Sequence, residues 1–336
     1  MFPRNRFEAV YHTMLHVAPS QESHAKEKIE TFMKNLIANY RKAFYPHEDV
    51  PVDETVIKFK GRWKNKQYNP SKPSKYHIKT FSLCDSATGY AFNILTYFRS
   101  DTSYNSDTYG MGQPEKMFEY LLKPLGKGHH IFADKYYTTH SLISYLTSKS
   151  FHYTGTLQTN RKNFPVIIKF RNGCRMKHLQ TNYYRSESGI TYLATELVQW
   201  QDKKAKKMVV AVSTKFSKNV VAVSSRCKGV REIPDIVHRY NLSMNGCDRL
   251  DQSVSYYSNL GRKIVKWWKR IFNWLIEVTQ ANSYILYLLT CPHNSKRITL
   301  KKFKENLIEE LVSSCITMMP DNSTLLKELH KFQIQS

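Results

Sequence analysis

Acidic residues are scarce in this chain: 27 Asp and Glu stand against 51 Lys and Arg in 336 residues, a formal net charge of +24. So one-sided a balance attracts polyanions and, against DNA, gains free energy by releasing condensed counterions, which makes nucleic acid the first partner to consider. Charge alone leaves a ribosome-like or merely basic soluble protein open as well. Glycine and proline are few, 12 of each, and 41% of residues are hydrophobic, so composition argues for a folded globular chain without low-complexity tracts. Paired cysteines are missing. Cys84, Cys174, Cys227, Cys247, Cys291 and Cys315 form no C-x-x-C, so spacing indicates neither a zinc site nor a disulfide framework, and a reducing compartment fits best. The first residues, MFPRNRFEAV, lack the apolar core of a secretory leader. The most apolar run, residues 264–289, carries Lys266, Lys269, Arg270 and Glu277, and reads as a buried helix rather than a membrane span. An intracellular, nuclear protein is expected, with two or three structural units.

What is present is a change of period along the chain. Phe7, Val10, Tyr11, Met14 and Leu15 recur at helical spacing, as do the apolar residues of 29–40, so two helices are expected first. Residues 57–63 read as an extended basic stretch, and the prolines of 69–76 exclude a helix there. Residues 77–84 read as a strand with 89–98 as its hairpin partner. A helix is expected over 115–122, a strand over 130–133 and a helix over 141–148, an alternation that suggests an α/β layer. Between 161 and 232, alternating segments at 165–170, 191–198 and 208–213 read as a β-rich insertion. Helices are expected again over 247–257 and 267–289.

The candidate chemistry rests on carboxylates at element ends. Asp85 closes one expected strand and Asp134 another, while Asp248 and Asp251 lie three apart and share a helix face. Brought together, such acids repel one another unless cations neutralise them, and Mg²⁺, with Mn²⁺ as a substitute, prefers carboxylate oxygens. Two such ions can activate a water or a 3′-hydroxyl for phosphoryl displacement without any side-chain nucleophile. Lys58, Lys60, Arg62, Lys64, Lys66, Lys72 and Lys75, interleaved with Trp63, Tyr68 and Tyr76, suit phosphate contacts with some aromatic stacking. Arg161, Lys162 and residues 203–207 are further basic candidates. Trp267, Trp268 and Trp274 read as core, and His12 and His16 lack the intervening Glu of a metalloprotease helix, because Thr13 follows His12.

An ordered series of motifs adds to this: Pro51-Val-Asp-Glu54, Phe59-Lys-Gly-Arg-Trp63, Asn69-Pro-Ser-Lys-Pro-Ser-Lys-Tyr76 and Leu83-Cys-Asp85-Ser. It continues with Phe132-Ala-Asp134-Lys-Tyr-Tyr-Thr138, Gly155-Thr-Leu-Gln-Thr-Asn-Arg161, Asn245-Gly-Cys-Asp248-Arg-Leu-Asp251-Gln252 and Asn282-Ser-Tyr284. The series resembles the piggyBac transposase family over nearly the whole chain. The resemblance implies an RNase H-like α/β catalytic fold at residues 81–160 and 233–257. It also implies a β-rich insertion at 161–232 and a discontinuous helical dimerisation and DNA-binding region at 1–80 and 258–336. It further implies cut-and-paste DNA transposition into TTAA sites by a homodimer acting on duplex DNA, with Asp85, Asp134, Asp248 and Asp251 as metal-binding catalytic acids. Lys58, Lys60, Arg62, Lys64, Lys72, Lys75 and Arg161 are the expected DNA contacts, and no membrane association is expected. Departures from the family pattern are Lys135 for Asn, Ala133 for Cys, and Asn245 and Cys247 for Gly and Val; a C-terminal Cys/His-rich zinc module is not expected. A transposase-derived DNA-binding protein that has lost catalysis is the rival reading, and a structural RNA-binding protein a second.

Overall fold

Burial alternates along neighbouring strands, and that alternation sets the architecture. The structure, a computed structural model, describes residues 26–104, 111–158, 182–186, 195–200, 209–215, 219–225, 229–258, 264–292 and 295–317. Helix α1 (Glu27–Ala43) leads into the long strand β1 (Asp49–Lys58), the short β2 (Gln67–Tyr68), β3 (Tyr76–Cys84) and β4 (Ala91–Thr96). Helix α2 (Gln113–Leu122), β5 (His130–Ala133), α3 (His140–Ser148) and β6 (His152–Thr156) follow. β3 runs antiparallel between β1 and β4, whereas β1, β5 and β6 run parallel, so these strands lie in the spatial order β4-β3-β1-β5-β6. The helical connections α2 and α3 satisfy the crossover that parallel neighbours require.

The two sheet faces bury different residues. Val50 and Val52 of β1, with Phe81 and Leu83 of β3, pack under α2 and α3. Ile57 and Ile78 point the other way, into a core shared by α1, α5 (Asn245–Ser255) and α6 (Trp267–Thr290). α1 buries Ile29, Met33, Ile37 and Tyr40, which recur at helical spacing. α6 is fixed to the sheet by Asn282, whose side chain accepts from Ala91 N at 2.9 Å and donates to Ala91 O at 3.0 Å. As the sequence suggests, the tryptophans at the start of α6 serve packing: Trp274 is buried and Trp267 stacks on Trp63 at 4.8 Å. Among the described residues no helix is long and apolar enough to cross a membrane.

Three boundaries differ from the sequence reading. β1 begins at Asp49 and runs through Pro51, where the extended stretch was expected only from residue 57. A proline argues against a strand interior, yet Val50 and Val52 on either side are fully buried and hold the backbone extended. β6 was not anticipated as a strand, because its His-Tyr-Thr-Gly-Thr sequence lacks a clear apolar alternation. In the stretch read as a β-rich insertion, β7 (Asn182–Ser186), β8 (Thr195–Trp200) and β9 (Val209–Ser213) extend the central sheet through β6 to β9 pairing. β10 (Val220–Ser225) and β11 (Gly229–Pro234) form a separate two-stranded pair, followed by α4 (Asp235–Ser243). Helix α7 (Leu300–Thr317) closes the described chain. The expected helix over residues 4–15, the segment 165–170 and Arg161, Lys162, His12 and His16 lie outside the described residues.

Candidate acidic site

Strand β1 places an acid where strands seldom carry one. Side chains alternate across the sheet, so Asp53, Thr55 and Ile57 share the face covered by α5. Val52 pairs in parallel with Ala133, so Asp53 and Asp134, each one residue further on, stand level at the centre of the sheet. Asp53 Oδ1 accepts from Glu54 N at 2.7 Å. Burial pushes the Asp53 carboxyl up to about 6, and the negative charges of Asp134 and Asp248 push the same way; the Glu54 bond and Lys72 oppose them.

Asp134 begins the turn after β5. Its Oδ1 accepts from Lys135 N at 2.6 Å and from Thr156 Oγ1 at 2.9 Å, and its carbonyl from Tyr137 N at 3.0 Å. Gly155, paired with Ala133, makes room for this turn, since a Cβ there would meet Thr138 Oγ1 at 2.7 Å and Ala133 O at 2.8 Å. Tyr240 of α4 hydrogen-bonds Thr156, and its hydroxyl is held above its usual range by burial first, then by Asp134, Asp53 and Asp248.

Helix α5 brings the remaining acids. Cys247, Leu250 and Val254 recur at three and four residues and are buried, which turns the flank carrying Asp248 and Asp251 toward β1. Asp251 hydrogen-bonds Thr55, yet burial pushes its carboxyl up to about 7, with Asp248 and Asp53 adding to the shift. The helix sits close because residue 246 is glycine: a Cβ would lie 2.8 Å from Asp85 O and 2.8 Å from Pro51 Cγ. Arg249 ties the same helix to the β3–β4 turn through Ala87 O at 2.7 Å and Ser86 O.

Asp85 does not join this group. It lies past the end of β3, level with Val50, three residues from Asp53 along β1 or about 10 Å. Its carboxylate is fully buried and both oxygens are taken: Oδ1 accepts from His47 N at 2.9 Å and is 3.0 Å from His47 Nδ1, while Oδ2 accepts from Thr88 N at 2.8 Å and Thr88 Oγ1 at 2.7 Å. Such a carboxylate organises the turn that Gly89, at φ +81°, completes. The acid that stands with Asp134, Asp248 and Asp251 is Asp53, which sequence reasoning passed over although it lies within the Pro51–Glu54 motif. Its only signal was an Asp between Val52 and the β-branched run that starts at Thr55, a residue type that strands disfavour.

The basic segment reaches the same place. Lys58, Lys60, Arg62, Lys64 and Lys75 are exposed, and Lys72 is half-buried, with its charge acting on both Asp53 and Asp251. Lys64 pairs with Asp101 at 3.4 Å. Four carboxylates offer only hard oxygen donors, the set that suits Mg²⁺ or Mn²⁺. Among the described residues no three His, Cys, Asp or Glu side chains stand close enough to enclose one cation. The mutual repulsion of these acids is nevertheless the electrostatic condition that a cation relieves.

Comparison with known proteins places the chain, though not its individual acids, in a class. Residues 1–284 match the family described as Transposase IS4, and the chain belongs to that family, with piggyBac-type proteins as its kin. PiggyBac transposable element-derived protein 2 of Homo sapiens is 23% identical over 303 residues, 86% of this chain and 49% of that protein. Human PiggyBac transposable element-derived protein 3 is 22% identical over 91% of this chain and 51% of its own length. The chain thus spans about half the length of these curated relatives. A cryo-EM structure of the piggyBac transposase synaptic complex with hairpin DNA superposes with a TM-score of 0.79 at 24% identity, covering 97% of this chain and 67% of that one. That likeness establishes a shared mixed α/β fold.

Proposed function

We propose that the chain cleaves and joins DNA strands, with Asp53, Asp134 and Asp248 holding divalent cations and Asp251 assisting. The observation that carries the proposal is the electrostatic convergence of Asp53 on β1, Asp134 on the adjacent parallel strand and Asp248 and Asp251 on α5. The strand order β4-β3-β1-β5-β6, antiparallel then parallel, supports an RNase H-like reading of the sheet. Bound Mg²⁺ or Mn²⁺ would activate the attacking water or 3′-hydroxyl and stabilise the leaving oxygen. The chain's own contribution is placement. β1 and β5 hold two acids in step, Thr156 and Lys135 N fix the Asp134 carboxylate, and Thr55 orients Asp251. Lys72, whose charge acts on both Asp53 and Asp251, would serve as a contact for a DNA phosphate entering the site. Hairpin DNA in the similar complex, together with the charge of +24, supports duplex DNA as substrate. TTAA as target, a homodimer and a nuclear location belong to the same proposal.

A labelled duplex containing TTAA, incubated with Mg²⁺ or Mn²⁺, tests it. Asp53→Asn and Asp134→Asn should each lower nicking by about a thousandfold or more while salt-sensitive DNA binding persists. Asp85→Asn should lower the melting temperature and leave nicking by the folded fraction intact. Nicking that survives Asp53→Asn removes β1 from the chemistry. Binding without nicking by the unaltered chain selects the second reading, a silent transposase-derived DNA-binding protein, which is favoured by the absence of any three ligand side chains close around one point among the described residues.

A further inference from the structure

From residue 55 to residue 84 the chain has eight Lys and Arg and no Asp or Glu. Within this acid-free stretch two tyrosines stand outside every core. Tyr68 on β2 and Tyr76 on β3 are directly opposite each other, 59% and 45% exposed, with ring centroids 4.9 Å apart and planes tilted by 40°. Lys66 sets the pair: its Nζ donates to Gly61 O at 2.9 Å and lies 4.9 Å from the Tyr76 ring centre. The contrast with Trp63 in the same stretch is instructive, since that ring is stacked on Trp267 and meets Phe98 edge-on. The tyrosines flank the loop 69–75, whose Lys72 acts on Asp53 and Asp251.

We infer that Tyr68 and Tyr76 form a stacking site for an unpaired nucleobase on the strand that runs to the acids. The inference rests on DNA being the substrate and adds what that reading lacks: a preference for DNA with bases out of the helix. Every base has a π face, so aromatic rings beside a phosphate-binding groove hold single-stranded DNA with little regard to sequence, whereas a paired base keeps its faces inside the stack. Surrounding lysines supply the charge complementarity, and the fixed tilt keeps the rings from stacking flat on one another and closing the site.

The test is fluorescence anisotropy in EDTA with a labelled blunt duplex and the same duplex carrying a short single-stranded tail. The intact chain should bind the tailed duplex more tightly. The Tyr68→Ala/Tyr76→Ala double variant should lose on the order of tenfold on the tailed duplex and less than about twofold on the blunt one, and Tyr68→Phe/Tyr76→Phe should retain the preference. Both rings are exposed, and unchanged melting temperatures would confirm that the variants fold. No tail preference in the intact chain, or equal weakening on both DNAs in the alanine variant, overturns the inference. Metal and nicking play no part in this readout, so a lost tail preference with nicking intact sinks the base site alone. Tail preference without nicking sinks the proposed reaction alone.

Discussion

Ionising Asp251 adds a negative charge to α5 beside Asp248 and against Asp53, in a place with little water to screen it. Its carboxyl is pushed up to about 7 from the usual 3.8, so the folded chain retains a proton that the unfolded chain releases, and stability declines as pH rises from about 4 to 7. Asp251→Asn keeps a partner for Thr55 without the charge. It should stabilise the metal-free protein at pH 8 by roughly 1–3 kcal/mol in denaturant titrations, and should reduce the stabilisation that Mg²⁺ gives. His130 has the opposite sign. Burial, helped by the positive charges of Lys215, His152 and Arg239, lowers it to about 3, so the folded chain refuses a proton the unfolded chain accepts below 6.5. Its contribution is complete above about pH 7 and falls with pH, by about 2 kcal/mol at pH 5. Unfolding free energies of the native chain and His130→Gln, compared at pH 7 and pH 5, should converge by about that amount; parallel pH dependence would exonerate His130. The residue scale is also where the sequence was hardest to read. Asp85 and Asp53 both sit in strand-like surroundings within motif segments, and only three-dimensional neighbours distinguish a carboxylate saturated by His47 and Thr88 from one facing other acids.

Helix α5 is the element on which the acidic site depends, because it delivers two of the four acids and touches the sheet at Gly246. A methyl group there would press on Asp85 O, a backbone atom that cannot swing aside, and on the Pro51 ring. Gly246→Ala should therefore cost about 1–3 kcal/mol and displace Asp248 and Asp251 from β1, so that metal-induced stabilisation falls further than Tm alone would suggest. Thermal melts with and without Mg²⁺ measure both effects; an unshifted Tm would show that α5 can move at little cost. The helix itself was legible from the sequence, as were α1, α2, α3 and α6, because their apolar residues recur at three and four, and β3, β4, β5 and β9 were legible from their dense β-branched and aromatic content. β1 was only half legible, since Pro51, Asp53 and Glu54 interrupt its pattern. The joining of β9, β8 and β7 to the sheet was not legible at all, because strand pairing between distant segments leaves no local periodicity.

At the scale of the whole molecule, the charge of +24 is the property that could be read with no structure, and the fold turns it into a place. Lys58 at the end of β1, the strand that carries Asp53, and Lys60, Arg62, Lys64 and Lys75 on the connection from β1 to β3 all stay exposed. A surface with cations gathered near acids can hold DNA against the repulsion of those acids only if phosphate contacts outweigh it, which makes affinity steeply dependent on salt. Each phosphate contact removed should then reduce the slope of log K against log[salt] by about 0.9 on duplex DNA. For Lys60→Gln/Arg62→Gln/Lys75→Gln the slope should fall by about 2 to 3, with affinity reduced alike for TTAA and scrambled duplexes, because phosphates carry no sequence information. Lys64 is the internal control: it already pairs with Asp101, so Lys64→Gln should change the slope by less than any one of the other three. A triple variant with the native slope would move the DNA path off the β1–β3 connection, and the Tyr68 and Tyr76 rings with it.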